Sequence, residues 1–285
     1  VPRYTSLAIN NSITADAWNG TQGGIVVIES EENITFGSSG NITVSQLGFR
    51  GGIEDYASST NGFWGLASAN NSDGGLKGES IYGYDNDYTA LGGKYGYGAP
   101  ANAGGGANNH NAGGGGGANA GDPANWNVGI GVPNPTYNSI WNLEPSPIGG
   151  LTSTGGGRGG YTLSTSNGNP QTEGPNNYAD WSGDGRRILG GLGGRPLDYS
   201  TGKIFFGGGG GSGDVNDAQT LGGHGGNSGG IVIVRCYGNI TGTGNINANG
   251  EDGEDTYSTN PPTTSFAGND GAGGAYGSNY SGGGG

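Results

Sequence analysis

"GGIVIVRCYGNITGTGNINANG", residues 229–250, frames four β-branched residues with glycine and then sets Asn-Ile steps between further glycines. A near-copy, "GGIVVIESEENITFGSSGNITV", occupies residues 23–44. A shift of 206 residues (231 against 25) sets Ile25 on Ile231, Val26 on Val232, Asn33 on Asn239, Ile34 on Ile240 and Thr35 on Thr241. Beyond a two-residue insertion at Ser38 and Ser39, Gly40, Asn41 and Ile42 fall on Gly244, Asn245 and Ile246. A third, weaker version, "SLAINNSITADAWNG", spans residues 6–20. Each version reads as a short strand, a turn, a shorter strand and another turn. The turns between the strands of each version carry no Asn-Gly or Asp-Gly hairpin pair, so stacked coils fit them better than a meander. The expected fold is all-β, a parallel β-helix or solenoid with long glycine-rich loops. In such a fold Ile25, Val27, Ile34 and Ile42 point inward and stack on their partners in the next coil. An antiparallel β-sandwich with a glycine-rich insert uses the same period-two alternation and is the alternative.

Glycine dominates the rest: 71 of 285 residues, where average usage of roughly 7% gives about 20. Inside ordinary strands or helices each would cost roughly 0.5–1 kcal/mol against Ala, so they belong in turns or close backbone contacts. Segments 5–52 and 229–250 hold the strands of one β-rich domain, 1–285, and residues 90–225 form a low-complexity insert between them. Runs such as "GGKYGYGAPANAGGGANN" and "KIFFGGGGGSGD" are interrupted by bulky anchors, among them Ile188, Leu189, Ile204, Phe205 and Phe206. A plain flexible linker has no use for such anchors. Polyproline-II-like runs packed backbone to backbone do, and mobile loops are the other reading. Helix is expected to be nearly absent, since glycine interrupts every candidate apolar stripe.

The formal net charge is −13 and only ten residues are Lys or Arg, which leaves no phosphate-neutralising surface and excludes nucleic acid as the expected partner. No apolar run approaches the ~18 residues that span a bilayer. The sequence has no Met and starts at Val1, as removal of a signal peptide would leave it, so the expected location is extracellular or at the cell surface. The lone Cys236 excludes an intramolecular disulfide framework. Alternation along "IVIVRC" sets Val232, Val234 and Cys236 on one face, a buried thiol.

Three acidic clusters could supply oxygen ligands to calcium: Asp85 and Asp87 in "DNDY", Asp214 and Asp217 in "GDVND", and Asp252 and Asp255 in "GEDGED". None matches the twelve-residue calcium loop, and solvated turn carboxylates are the competing reading; no other cofactor is expected. Sequons for glycosylation stand at Asn10, Asn19, Asn33, Asn41, Asn70, Asn239 and Asn279. The alignment of Asn33 with Asn239 also fits side chains satisfying backbone groups at stacked turns. The histidines, His110 and His224, lie in glycine-rich tracts without triad or metal spacing. Asp184 with Arg186 and Arg187 in "SGDGRR" is the one local match to a polysaccharide-cleaving β-helix, and an exposed turn explains it equally well. The chain is therefore read as a non-enzyme. Tyr82, Tyr84, Tyr88, Tyr95 and Tyr97 offer sugar-stacking surfaces, but Tyr and Trp also fill the space that glycine leaves.

Taken in order, "KIFFGGGGGSG", "LGGHGGNSGGIVIVRCYGNITGTGNINANGEDG" and "GNITVSQLGFRGG" resemble glycine-rich, secreted surface proteins of prokaryotes. The middle tracts are similar in composition to phage tail-tip adhesins with packed polyglycine helices. The resemblance implies location and build and carries over no catalytic residues. The expected function is that of an extracellular structural protein whose own copies assemble head-to-tail into a filament, sheath or surface layer. The edges expected to make that contact are Leu7, Ile9 and Ile13, Ile25 and Val27, and Ile231 and Ile233. An adhesin recognising surface glycans or proteins is the alternative, and a polysaccharide-cleaving enzyme the third.

Overall fold

A computed structural model of the chain describes residues 1–53, 75–91, 93–96, 99, 101–107, 113–126, 155–157, 159, 191–213, 220–221, 223–254 and 257–258. Its strands, in chain order, are β1 (Arg3–Tyr4), β2 (Leu7–Ile9), β3 (Ser12–Ile13), β4 (Ile25–Ser30), β5 (Ile34–Phe36) and β6 (Asn41–Thr43). Then come β7 (Ala120–Gly121), β8 (Leu197–Asp198), β9 (Thr220–Leu221), β10 (Ile231–Cys236), β11 (Ile240–Gly242), β12 (Asn245–Asn247) and β13 (Tyr257–Ser258). The α-helix among the described residues is the single turn α1, Asn86–Thr89. The architecture is all-β, as the glycine interruptions require.

Three small parallel sheets hold the repeated segments, with strand orders β1-β4-β10, β2-β5-β11 and β3-β6-β12. Every sheet takes one strand from each of the two strong copies; the third strand comes from the weak copy in two of them and from β1, just before it, in the first. The sequence alignment of the two strong copies is the strand pairing itself: Ile231 lies opposite Ile25, Ile240 opposite Ile34 and Ile246 opposite Ile42. The weak copy joins on the other side, with Leu7 opposite Ile34 and Ile13 opposite Ile42. Parallel pairing throughout these sheets removes the antiparallel sandwich for this part of the chain. The remaining pairs are β7 with β8, parallel, and β9 with β13, antiparallel.

Between the sheets lies one apolar cluster of Ile9, Val26, Ile28, Ile34, Phe36, Ile42 and Val44, with Leu7, Ile13, Leu47, Val232, Val234 and Cys236 packed against it. Fully burying such side chains contributes about 1.5–3 kcal/mol each. Ile25 and Val27 are a correction to the expected inward ladder. On β4 the buried residues are Val26, Ile28 and Ser30, and Ile25 is exposed. In "IVVIES" both faces begin apolar, so alternation alone leaves the choice open. Glu29 decides it: its carboxylate pairs with Arg3 Nε at 3.2 Å on the outer face, which turns positions 26, 28 and 30 inward.

Glycine builds the second half of the interior. In the tract 208–213 the N–H groups of Gly208 and Gly211 donate to Ala118 O and Gly115 O, and those of Gly209 and Ser212 to Glu79 O and Leu76 O. Those of Gly210 and Gly213 donate to Gly226 O and Gly223 O. The partner changes with each residue and recurs every third one. That is the period of the polyproline-II helix, which has no internal hydrogen bonds and must find them between tracts. The same tract accepts from Gly104, Ala107 and Gly52 at 2.9, 2.9 and 2.7 Å, so it sits inside a bundle of backbones. A Cβ on Gly209 or Gly211 would lie under 3.0 Å from the carbonyl of Arg50 or Gly105; only glycine lets the tracts approach so closely. Buried Asn102 joins the layers: its Nδ2 donates to Ala118 O and Phe206 O, both at 3.0 Å, and its Oδ1 accepts from Ile81 N at 3.1 Å. Phe206 anchors the bundle as a buried side chain, whereas Ile204, also expected to anchor, is exposed.

Candidate assembly interface

Parallel stacking has two ends. β1, β2 and β3 form one, β10, β11 and β12 the other, and among the described residues no strand pairs with their outward sides. The side chains are uneven there. Ile34 and Ile42 in the middle layer are 0% exposed, while Ile240 and Ile246, stacked directly on them, are 51% and 48% exposed. Covering that remainder would contribute about 1 kcal/mol for each isoleucine. Open N–H and C=O groups along these strands are templates for further pairing.

The residues expected to form assembly edges divide accordingly. Leu7, Ile9 and Ile13 lie on the edge strands β2 and β3, although Ile9 is buried in the core. Ile231 and Ile233 lie on the edge strand β10. Ile25 and Val27 lie on β4, which pairs with β10 along its whole length and with β1 only at Glu29 and Ser30, so among the described residues no strand pairs with their side away from β10. Ile240 and Ile246, which the sequence reading left out of the edge set, complete the open end; their place as last-copy partners of Ile34 and Ile42 was the available signal. The half-buried Cys236 thiol donates to Glu32 O at 3.1 Å.

Where the glycine bundle meets the sheets, an open cleft of about 610 Å³ is lined by Trp18, Phe49, Arg50, Glu79, Tyr82 and Phe206, among others. Its centre is Glu79, which is 4% exposed. The carboxylate accepts from Arg50 N, Nε and Nη2 at 3.0, 2.8 and 3.1 Å and from Trp18 Nε1 at 2.9 Å. The Glu79 hydrogen bond outweighs desolvation and raises Arg50 above its ordinary value. Arg50 also lies over the Tyr84 ring at 4.3 Å, and burial pushes the Tyr84 phenol up to about 12. Trp18, Phe49 and Phe206 pack ring on ring at 5.0–6.0 Å. Tyr82 stacks on buried Tyr88 at 6.2 Å and is itself half exposed. Most of these aromatics therefore fill space and tie the two halves together. Neither this Glu79–Arg50–Trp18 knot nor Asn102 was picked out from sequence.

Asp85 is paired with Lys94 Nζ at 2.6 Å, and Asp87 accepts the N–H of Tyr84 at 3.0 Å. Among the described residues no group of three or more His, Cys, Asp and Glu side chains is placed to hold a metal ion. Asp214, Asp217 and Asp255, the sequons at Asn70 and Asn279, His110, Tyr97, Ile188, Leu189, and Asp184 with Arg186 and Arg187 lie outside the described residues. Asp252 is exposed, and His224 Nε2 lies 3.9 Å from Glu254. Of the other sequons, Asn10, Asn19, Asn33 and Asn239 are exposed and Asn41 is half-buried. Asn33 Oδ1 accepts the backbone N–H of Asn239 at 2.9 Å, the use expected of asparagine at stacked turns. Among the described residues no helix is long and apolar enough to cross a membrane. No family model, no curated protein and no solved structure matches the chain.

Proposed function

We propose that this chain is an extracellular structural protein whose parallel strands are the coils of a short β-solenoid, and that its copies join head-to-tail into a filament, sheath or layer. The observation that carries the reading is the pair of open ends: strands of one direction at both, with Ile240 and Ile246 half exposed at one of them. A surface offered at one end and its complement at the other make a heterologous contact, which propagates when it does not close into a ring. The test is negative-stain imaging and light scattering of the purified chain beside an Ile246→Lys variant. Long regular polymers from the wild type and none from the variant are expected. A wild-type chain that stays monomeric across a hundredfold range of concentration overturns the proposal.

A second reading, an adhesin that binds surface glycans, is favoured by the half-exposed Tyr82 at the rim of the cleft, because a ring backed on one side leaves a face for a sugar. Discrete particles that bind cells, and lose that binding in Tyr82→Ala, would select it over the first.

A further inference from the structure

The proposed head-to-tail contact does not fix how the two ends meet; the strand register within one chain does. Residues at equivalent positions form columns through the three layers: Tyr4, Ser30, Cys236; Leu7, Ile34, Ile240; Ala8, Thr35, Thr241; and Ile13, Ile42, Ile246. Since all three layers run in one direction, β1–β3 of a second copy can continue the columns without inversion. We infer that the next copy seats its β1, β2 and β3 on β10, β11 and β12 in this same straight register. Its Leu7 then covers Ile240, its Ile13 covers Ile246, and its Tyr4 lies beside Cys236.

The match is close along the two inner columns, where an aliphatic residue meets an aliphatic residue, and at Thr241, where Ala8 of the next copy meets the Thr methyl. In the Tyr4 column Ser30 of the middle layer is fully buried and Cys236 is half-buried, while Tyr4, at the open end, is exposed; a next copy's Tyr4 seated beside Cys236 would take the place that Ser30 has in the middle layer. The outer face carries one unfavourable step: Arg3 of the next copy comes beside Arg235, next to Glu29. Two like charges about 6 Å apart in water weaken association roughly threefold, and salt screens the effect. Binding by this register is therefore expected to strengthen when salt is added, the reverse of contacts held by ion pairs.

Cys236 is the only cysteine of the chain, which makes the register directly testable. Neighbouring strands lie about 4.8 Å apart, within the Cα separation a disulfide spans, whereas positions two strands apart, at about 9.6 Å, cannot be bridged. Full-length Tyr4→Cys is treated with a mild thiol oxidant and run on a non-reducing gel. The straight register predicts a ladder of covalent oligomers, at least tenfold more abundant than in Arg3→Cys, whose thiol faces outward, and absent once Cys236→Ser is added. Ser30→Cys, with two thiols on adjacent strands of one chain, closes an intrachain disulfide and serves as the reference for folding and oxidation. This inference rests on head-to-tail assembly, and the outcomes separate the two. Polymers seen by microscopy without cross-links in Tyr4→Cys overturn the register and leave assembly standing; absence of polymers and cross-links alike, with the Ser30→Cys reference intact, overturns both.

Discussion

Two neighbouring glycines, Gly210 and Gly211, should respond very unequally to the same small change. An alanine Cβ at 211 would fall under 3.0 Å from the carbonyl of Gly105. Backbone cannot rotate aside as a side chain can, so the tract must shift. Three inter-tract hydrogen bonds are strained by that shift: Gly211 N to Gly115 O, Gly115 N to Gly105 O, and Gly104 N to Gly209 O, at 2.8, 2.8 and 2.9 Å. Leaving buried amide groups unpaired costs about 1–3 kcal/mol each, which is about 3–9 kcal/mol if all three bonds are lost; since they are strained and not all broken, a loss of roughly 3–6 kcal/mol is expected. Restriction of the unfolded chain by alanine offsets only about 0.4–1 kcal/mol of it. At about 2–4 °C per kcal/mol for a chain of this size, Gly211→Ala lowers Tm by roughly 10 °C. At 210 the nearest atom to an added Cβ is Gly226 N at 3.2 Å, a contact that relaxes by a few tenths of an ångström. Gly210→Ala should therefore melt within about 2 °C of wild type. Thermal unfolding followed by circular dichroism measures both. Equal damage from the two substitutions, or a Gly211→Ala protein that melts like wild type, would refute the close-packed bundle.

Lys77 and Glu79, two residues apart, give two further tests. Lys77 is buried with its amine donating to Gly93 O at 2.7 Å, and burial lowers its pKa from the usual 10.5 to about 8. The folded state thus sheds the proton first, and stability should rise as pH climbs from about 8 towards 10. Half-buried Tyr84 and buried Tyr88, held neutral with raised pKa values, contribute stability that is lost above pH 10, so the curve turns over there. Chemical denaturation of wild type and Lys77→Met across pH 7–11 checks this, and an unchanged slope between pH 8 and 10 in the variant would refute it. Glu79→Gln keeps the shape and removes the charge that holds three Arg50 donors and Trp18. Because Arg50 keeps part of its side chain in water, the cost should fall at or below the low end for broken buried pairs, about 2–3 kcal/mol. A lower urea midpoint with red-shifted Trp emission is expected, and an unchanged midpoint counts against the knot.

What sequence made legible was pairing over distance. The shift of 206 that sets Ile34 on Ile240 carried the register of two parallel sheets, and the same alignment past the insertion at Ser38 and Ser39 carried the third, because stacked coils repeat their contacts at equivalent positions. It was less able to choose a face. Ile25 and Val27 were read inward because "IVVI" is apolar on both sides, yet the same shift lays Val232 and Val234 on Val26 and Ile28, and Glu29 marks the wet face. The open ends were legible in part: Leu7, Ile13, Ile231 and Ile233 lie on edge strands, while β1, which covers β4 at Glu29 and Ser30, precedes the weak copy and no motif announced it. Least legible were Glu79, Asn102 and the partners of each glycine. Those depend on which tracts lie side by side, and a run of identical residues carries no address.

The bundle around Gly208–Gly213 also bears on how the molecule responds to heat. Exposing apolar surface raises the heat capacity on unfolding and exposing amide groups lowers it. A fold that draws part of its interior from packed glycine backbone is therefore expected to have a small heat-capacity increment for its length, and a broad and shallow stability curve. The stability of such a chain is expected to change only slowly with temperature on either side of its maximum.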